Sequence, residues 1–304
     1  MSKTNKTIIP SPLKIGDKVA IIATARKISI EILESGEQLL RSWGLEPLRG
    51  SNLQMVKHQF AGTDQQRHED LQWALDHPNI KAVFCFRGGY GTVRILKELK
   101  TEQLINNPKW VIGYSDITAL HLFLQSQLNM ASLHGTMPIN FIENTPDALN
   151  TLKALLFNEK YEIIAPAHHY NRTGISKAEI VGGNLAIIQS LMGTPYEINT
   201  KGKILFLEDV DEYLYNIDRM MWTLKLAGKL DHLAGLIVGG MTDVNDNETP
   251  FGADPYDSII EKVSEYDYPV CFNFPTGHIN DNRALPFSLQ IQLIVQEKGA
   301  ILKL

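Results

Sequence analysis

In Trp110 to Leu124, WVIGYSDITALHLFL, a short apolar run stops at Gly113, and an amphipathic helix is expected one step later with Ser115 in the turn. A strand that ends abruptly at a small residue and passes at once into a helix lifts one side chain clear of its neighbours. It also aims the helix N-terminus at whatever that side chain attacks. The tetrapeptide here is Gly-Tyr-Ser-Asp, not the Gly-x-Ser-x-Gly of the common hydrolase elbow. Ser115 or Asp116 acting only as a helix cap is therefore the competing reading. A serine nucleophile needs a base, usually histidine, and the histidine needs a carboxylate to fix its tautomer and stabilise the imidazolium. Two later apolar runs end in such groups: Ile204 to Leu207 at Glu208-Asp209, and Val270 to Phe274 at Pro275-Thr-Gly-His278. Ser115, Glu208 and His278 supply the three types in that order. Asp209 competes with Glu208, Asp243 is an outside candidate, and spacing alone leaves open whether the three side chains meet.

The elements that must position these groups alternate in type. Val19 to Ala23 is wholly apolar and largely β-branched, as a buried strand should be, and Ile28 to Trp43 carries a helical apolar stripe of Ile32, Leu33, Leu39, Leu40 and Trp43. Leu45 to Arg49 reads as a strand, His68 to His77 as a helix and Ala82 to Phe86 as a third strand. This alternation predicts βαβ units and a parallel sheet covered on both faces, with ligands beyond the carboxyl ends of the strands. Two glycine-bearing strand ends fall at that edge, Arg87-Gly-Gly-Tyr-Gly91 and Gly113-Tyr-Ser-Asp116. The first lacks the spacing of a dinucleotide or phosphate loop. Its paired glycines can instead let backbone N–H groups approach a developing negative charge, with the N–H of Asp116 as the other half of an oxyanion hole.

His134, in Ser132-Leu-His-Gly-Thr-Met-Pro138, is a candidate to face this site. His121 is a poor partner for Ser115, because about 100° per residue turns it roughly 240° around the helix. Pro146 to Phe157 reads as a helix capped by Thr145. The polar stretch 165–177, with His168 and His169 read as solvated loop residues, is the expected linker between an N-terminal domain of residues 1–164 and a C-terminal domain of 178–304. In the second half, a helix opening at Gly182-Gly-Asn184, another from Tyr215 to Ala227, and short strands near 203–207, 236–238, 270–274, 289–295 and 300–302 suggest a compact α/β domain with a curled sheet or small barrel.

Composition narrows the class. The chain has 304 residues, 44% hydrophobic and 21% charged, with a formal net charge of -5, which suits a soluble two-domain protein. That charge gives no general reason to bind nucleic acid or an anionic membrane. No apolar run is long enough for a signal peptide or a membrane span, so a cytoplasmic protein is expected. Cys85 and Cys271 sit in apolar runs without metal-ligand spacing, so no metal site is expected through them.

Taken together, Phe86-Arg-Gly-Gly-Tyr-Gly91, Ile112-Gly-Tyr-Ser-Asp116, Gly182-Gly-Asn-Leu185, Leu205-Phe-Leu-Glu-Asp-Val210, Ile217-Asp-Arg219, Gly277-His278 and Leu285-Pro286 resemble the LD-carboxypeptidase family of serine peptidases. The family includes the muramoyltetrapeptide carboxypeptidases of bacterial cell-wall recycling. The resemblance runs from about Leu13 to Phe287. One departure is Ala23-Thr-Ala25, where the family usually has an Ala-Pro-Ser-like turn to which no catalytic role attaches.

The resemblance implies an N-terminal flavodoxin-like or amidotransferase-like parallel sheet domain, a C-terminal swivelling-barrel domain of α/β type, and a site between them, commonly in a homodimer. It puts the nucleophile on Ser115, the triad carboxylate on Glu208, the histidine on His278, and the oxyanion donors on Gly89 and Asp116. The implied reaction removes a C-terminal D-alanine from a muropeptide and requires no metal or cofactor. A substrate carboxylate would need a cation, for which Arg87 and then Arg219 are candidates, although both could be structural ion-pair arginines. A self-immunity peptidase acting on aminoacyl or peptidyl nucleotides is the alternative within the family, but no room for its extra aromatic-bearing loop is evident. A glutamine amidotransferase would need cysteine where this chain has Ser115. A non-catalytic binding module would be expected to have lost one of the three catalytic side chains.

Overall fold

The computed structural model describes residues 6–304, so residues 1–5 of the segment read as lacking an apolar leader lie outside it. The first half alternates as expected: β1 (Lys18–Ile22), α1 (Ile30–Ser42), β2 (Glu46–Arg49), α2 (Asp64–Asp76), β3 (Ile80–Cys85), α3 (Glu102–Asn106), β4 (Trp110–Gly113), α4 (Thr118–Phe123), β5 (Ser132–His134) and α5 (Pro146–Phe157). The second half holds β6 (Glu162–Pro166), β7 (Gly174–Asn184), α6 (Leu185–Ser190), β8 (Ile204–Val210), α7 (Leu214–Leu226), β9 (Gly235–Thr242), α8 (Pro255–Val263), β10 (Val270–Cys271), β11 (Leu285–Phe287), β12 (Gln290–Gln296) and β13 (Gly299–Lys303).

These strands form one mixed sheet in the order β10-β9-β8-β7-β11-β5-β4-β3-β1-β2. The β2-β1-β3-β4-β5 portion is parallel, as is β7-β8-β9-β10, and β11 joins them by running antiparallel to β5 and parallel to β7. The lower half of β7 pairs antiparallel with β12, which continues through β13 to β6. The 165–177 stretch thus carries strand residues at both ends, in β6 and β7.

Alternation along the strands explains the two-sided burial. Ala20, Ile22, Val83 and Val111 pack with Leu71 and Leu75 of α2 and Leu120 of α4. Val19, Ile21, Phe84 and Ile112 face the other way, onto Leu33 and Leu40 of α1. Each of the Val, Ile, Leu and Phe side chains among these, taken fully out of water, stabilises the fold by about 1.5–3 kcal/mol. The same two faces continue into the second half, where Leu205, Leu207 and Val238 lie on α6 and α7, while Phe206 and Ile237 lie on β11 and β12 residues.

Two local expectations need correcting. The helix after Ser115 is not amphipathic: Thr118 to Phe123 are all buried, because α4 is packed against α6 and β7 as well as against its own half of the sheet. It is also short, preceded by a 3-10 turn over Ser115–Ile117 and continued by a π turn over Leu124–Leu128. Glu208 and Asp209 do not lie past the end of their strand, since β8 runs on to Val210 with a register shift against β9 between Leu207 and Asp209. Such an irregularity re-aims side chains that a regular ladder would keep in alternation.

Candidate active site

Ser115 follows β4 with φ +63, a left-handed conformation that non-glycine residues adopt at a cost, and one that holds its side chain out of the chain path. Neither Ser115 nor Asp116 caps the turn or the helix with its side chain, which removes the capping alternative. The elbow is held from below by His121, fully buried, with Nε2 2.9 Å from the Gly113 carbonyl and Nδ1 2.8 Å from Ser132 Oγ. A carbonyl only accepts, so Nε2–H donates to Gly113 and Nδ1 accepts from Ser132. Burial lowers this histidine to about 4, so it remains neutral.

The Arg87-Gly-Gly turn lies directly against the serine. A Cβ built on Gly88 would fall 2.9 Å from Ser115 Cβ and 3.3 Å from the Asp116 nitrogen, so only glycine lets the two backbones approach this closely. The turn is latched by the Asp116 side chain, whose Oδ2 accepts the Thr92 N–H at 2.9 Å. Thr92 Oγ1 is in turn 2.8 Å from Thr24 Oγ1 after β1, and the buried Arg67 donates to the carbonyls of Gly91 and Thr24. Burial raises the Asp116 carboxyl, and the Thr92 hydrogen bonds oppose that rise. Asp116→Ala leaves the buried Thr92 N–H without its acceptor and is expected to destabilise the chain by about 1–3 kcal/mol, measured as a lower urea midpoint. An unchanged midpoint would show that the latch carries no energy.

Across the sheet, Glu208 Oε2 is 2.6 Å from His278 Nδ1, with the carboxylate fully buried. Gly277, at φ +118, makes this approach possible, since a Cβ there would lie 2.9 Å from Glu208 Cβ and 3.0 Å from Oε2. Burial works against the charged imidazolium, but the Glu208 carboxylate outweighs it, with smaller help from Asp209 and Asp243, and raises His278 above its ordinary value. Asp209 is occupied elsewhere: its carboxylate accepts from Asn184 Nδ2 and from the N–H groups of Ala186 and Val210. Burial first, and then the charge of Glu208, push it to about 7.

The two clusters converge through Tyr114, next to the serine, whose ring lies edge-on to His278 with centroids 4.8 Å apart and whose hydroxyl donates to Asn140 Oδ1. Thr118 Oγ1 of α4 accepts the Asn184 N–H at the end of β7, tying the halves together beside the site. No hydrogen bond joins Ser115 Oγ to His278 among the described residues. His134 does not open onto the serine; it is fully buried against Tyr114, Phe206 and Phe287. Arg87 donates to the Lys27 carbonyl at 3.1 Å, whereas Arg219 is exposed on α7, bonded to Asn216 with its guanidinium 5.5 Å from the Tyr215 ring. His168 is stacked on His169 and on Phe272, and no group of three or more potential metal ligands occurs among the described residues. No helix among them is long and apolar enough to cross a membrane.

Residues 19–135 match the model of the LD-carboxypeptidase N-terminal domain, and residues 177–293 match that of the LD-carboxypeptidase C-terminal domain. The chain belongs to the LD-carboxypeptidase family. It is accordingly an enzyme, a hydrolase of the serine carboxypeptidase class. It is 32% identical over 304 residues to a probable murein peptide carboxypeptidase of Bacillus subtilis (strain 168), covering 97% of this chain and 94% of that one. Among solved structures it resembles a muramoyltetrapeptide carboxypeptidase from Oxalobacter formigenes, with TM-score 0.84, 25% identity, and 94% and 97% of the two chains covered. The microcin C7 self-immunity protein MccF, solved with aspartyl sulfamoyl adenosine, shares the two-domain fold with TM-score 0.86 at 19% identity, over 98% of each chain.

The Asp116 latch, the Gly277 approach and the Tyr114 bridge were not anticipated from the sequence. Gly277 beside His278 was the one visible sign, since a glycine next to a candidate base often marks a backbone that must come close to something.

Proposed function

We propose that the protein removes the C-terminal D-alanine from murein tetrapeptides, with Ser115 as nucleophile, His278 as general base and then acid, and Glu208 orienting the imidazole. The observation that carries this reading is the Glu208–His278 hydrogen bond, its imidazole edge-on to Tyr114, beside a left-handed Ser115 that is packed against Gly88. With Nδ1–H given to Glu208, Nε2 is left as the base. In the first step Ser115 Oγ bonds to the carbonyl carbon preceding D-alanine and its proton passes to Nε2. The oxyanion is held by the N–H groups of Gly89 and Asp116. The C–N bond then breaks, the Nε2 proton leaves with the amine, and water cleaves the acyl-enzyme by the same route in reverse. The hydrogen bond from Ser115 to Nε2 is of the kind that closes as substrate settles into the site.

In this reading residues 1–164 supply the nucleophile and 178–304 the glutamate and histidine, and the enzyme is a cytoplasmic homodimer of cell-wall recycling. Mass spectrometry of the protein incubated with a murein tetrapeptide tests it, the expected result being loss of one alanine. If the free carboxylate and the methyl of the leaving residue are read together, a D-alanine terminus should exceed its L-alanine counterpart by at least about a hundredfold in kcat/KM, and amidation should cost as much. A second reading, compatible with the fold shared with MccF, is hydrolysis of aminoacyl or peptidyl nucleotides. Equal rates on D and L termini, or faster cleavage of an aminoacyl sulfamoyl adenylate, would favour it.

A further inference from the structure

The surface beside the Gly88-Gly89 turn carries positive charge that no carboxylate pairs with among the described residues. Arg26, just beyond the departing Ala23-Thr-Ala25 segment, crosses directly over Gly89: a Cβ built on that glycine would lie 2.5 Å from Arg26 Cδ and 2.7 Å from its Nε. Arg87 reaches back to the same segment through its bond to the Lys27 carbonyl. Segment 25–27 is paired in turn with the turn that holds Lys57 and His58, through Lys27 N to Gln59 O and Ala61 N to Ala25 O, both 3.0 Å. No aspartate or glutamate occurs in 25–29, 57–60 or 87–91, in a chain whose formal net charge is -5. Among the described residues neither Arg26 nor Arg87 has a carboxylate partner, unlike Arg49, Arg67, Arg94 and Arg283, which all do. Burial, and then the charge of Arg26, lower the Arg87 guanidinium from its ordinary value.

We propose that Arg26 and Arg87 form a two-arginine clamp over the Gly88-Gly89 turn that receives the free carboxylate of the substrate's leaving residue. The inference rests on the peptidase reading and adds a specificity-determining residue to it. It assigns the role to Arg26 as partner of Arg87 in place of Arg219, whose guanidinium is engaged by Asn216 and Tyr215. Planar guanidinium groups suit carboxylates because two N–H donors match two oxygens, and each charge-assisted contact exceeds a neutral one.

The test measures steady-state cleavage of a D-alanine-terminated tetrapeptide, as free acid and as amide, by wild type, Arg26→Ala, Arg26→Lys and Arg87→Ala. Arg26→Ala should raise KM for the acid by about tenfold or more with kcat within about twofold. It should leave KM for the amide unchanged, and Arg26→Lys should recover part of the loss. An unchanged KM for the acid, or an equal loss on the amide, overturns the clamp while the peptidase reading stands. If wild type releases no alanine, that reading fails, and the clamp is then judged by thermal midpoints in citrate. A rise in wild type that is lost in both alanine variants upholds an anion site on these two arginines, and a rise that survives in either variant, or no rise, overturns it.

Discussion

Ser115→Ala is expected to lower turnover of a D-alanine-terminated tetrapeptide by about 10⁶-fold, the scale seen when a serine hydrolase loses its nucleophile, while the thermal midpoint stays near that of the wild type. The two halves of this expectation have separate physical causes. The residue sits at φ +63 whatever its side chain, and alanine keeps the Cβ that fits against Gly88. Ser115 Oγ has no hydrogen-bond partner among the described residues, so removing it leaves no buried group unpaired. A variant that cleaves at a wild-type rate would exclude the serine mechanism. One that is inactive because it is unfolded would show that Oγ holds the elbow together, and circular dichroism distinguishes these outcomes.

How far the sequence carried the fold depended on whether each element was buried on both faces. β1, β3 and β4 read directly because each holds an unbroken apolar run, Val19 to Ile22, Ala82 to Cys85 and Trp110 to Ile112, and Pro146–Phe157 reads to the residue because Thr145 caps it and proline opens it. The pattern assigns no element to 162–164, and the end of β6 and the first residues of β7 fall within the expected polar linker of 165–177. Both alternate buried and exposed residues, and with lysine and glutamate on the open face such a strand looks like a loop. The pattern assigns no element to 255–263, where α8 lies, although Asp254, Pro255 and Asp257 form a capping box with proline at the first helical position. α2 starts at Asp64, four residues before the expected His68, because its Thr63 and Gln66 box lies in a wholly polar stretch.

The site divides the same way. Ser115, Glu208 and His278 are legible as types at strand ends, and the resemblance puts the carboxylate role on Glu208; what the spacing leaves open is which of Glu208 and Asp209 lies against His278. Adjacent residues in a regular strand point to opposite faces, so one of the two had to turn away from the histidine. Which one did was decided by a shift in ladder register and by the hydrogen-bond donors around Asn184, neither of which a linear pattern records.

That choice makes the second large prediction. Glu208→Gln should lower kcat/KM by about 10⁴-fold, the scale on which loss of the orienting carboxylate disables a triad through the wrong tautomer, whereas Asp209→Asn should change it by less than about tenfold. The amide keeps the shape of the carboxylate but can present its NH₂ to Nδ1, which then loses its proton-accepting partner and no longer directs the lone pair to Nε2. Asp209 accepts three N–H donors and would lose one on amidation, so its variant should show the effect mainly in stability. The pH profile separates a tautomer-fixing role from a merely structural one. The base must be neutral to act, and His278 is held above its ordinary value, so wild-type kcat/KM should rise with pH along a limb lying above that value. In Glu208→Gln burial still disfavours the imidazolium while the charge that outweighed it is gone, so the limb of the residual activity should move to lower pH. A large rate loss with an unmoved limb would leave Glu208 as packing only, and a greater loss in Asp209→Asn than in Glu208→Gln would transfer the role to Asp209.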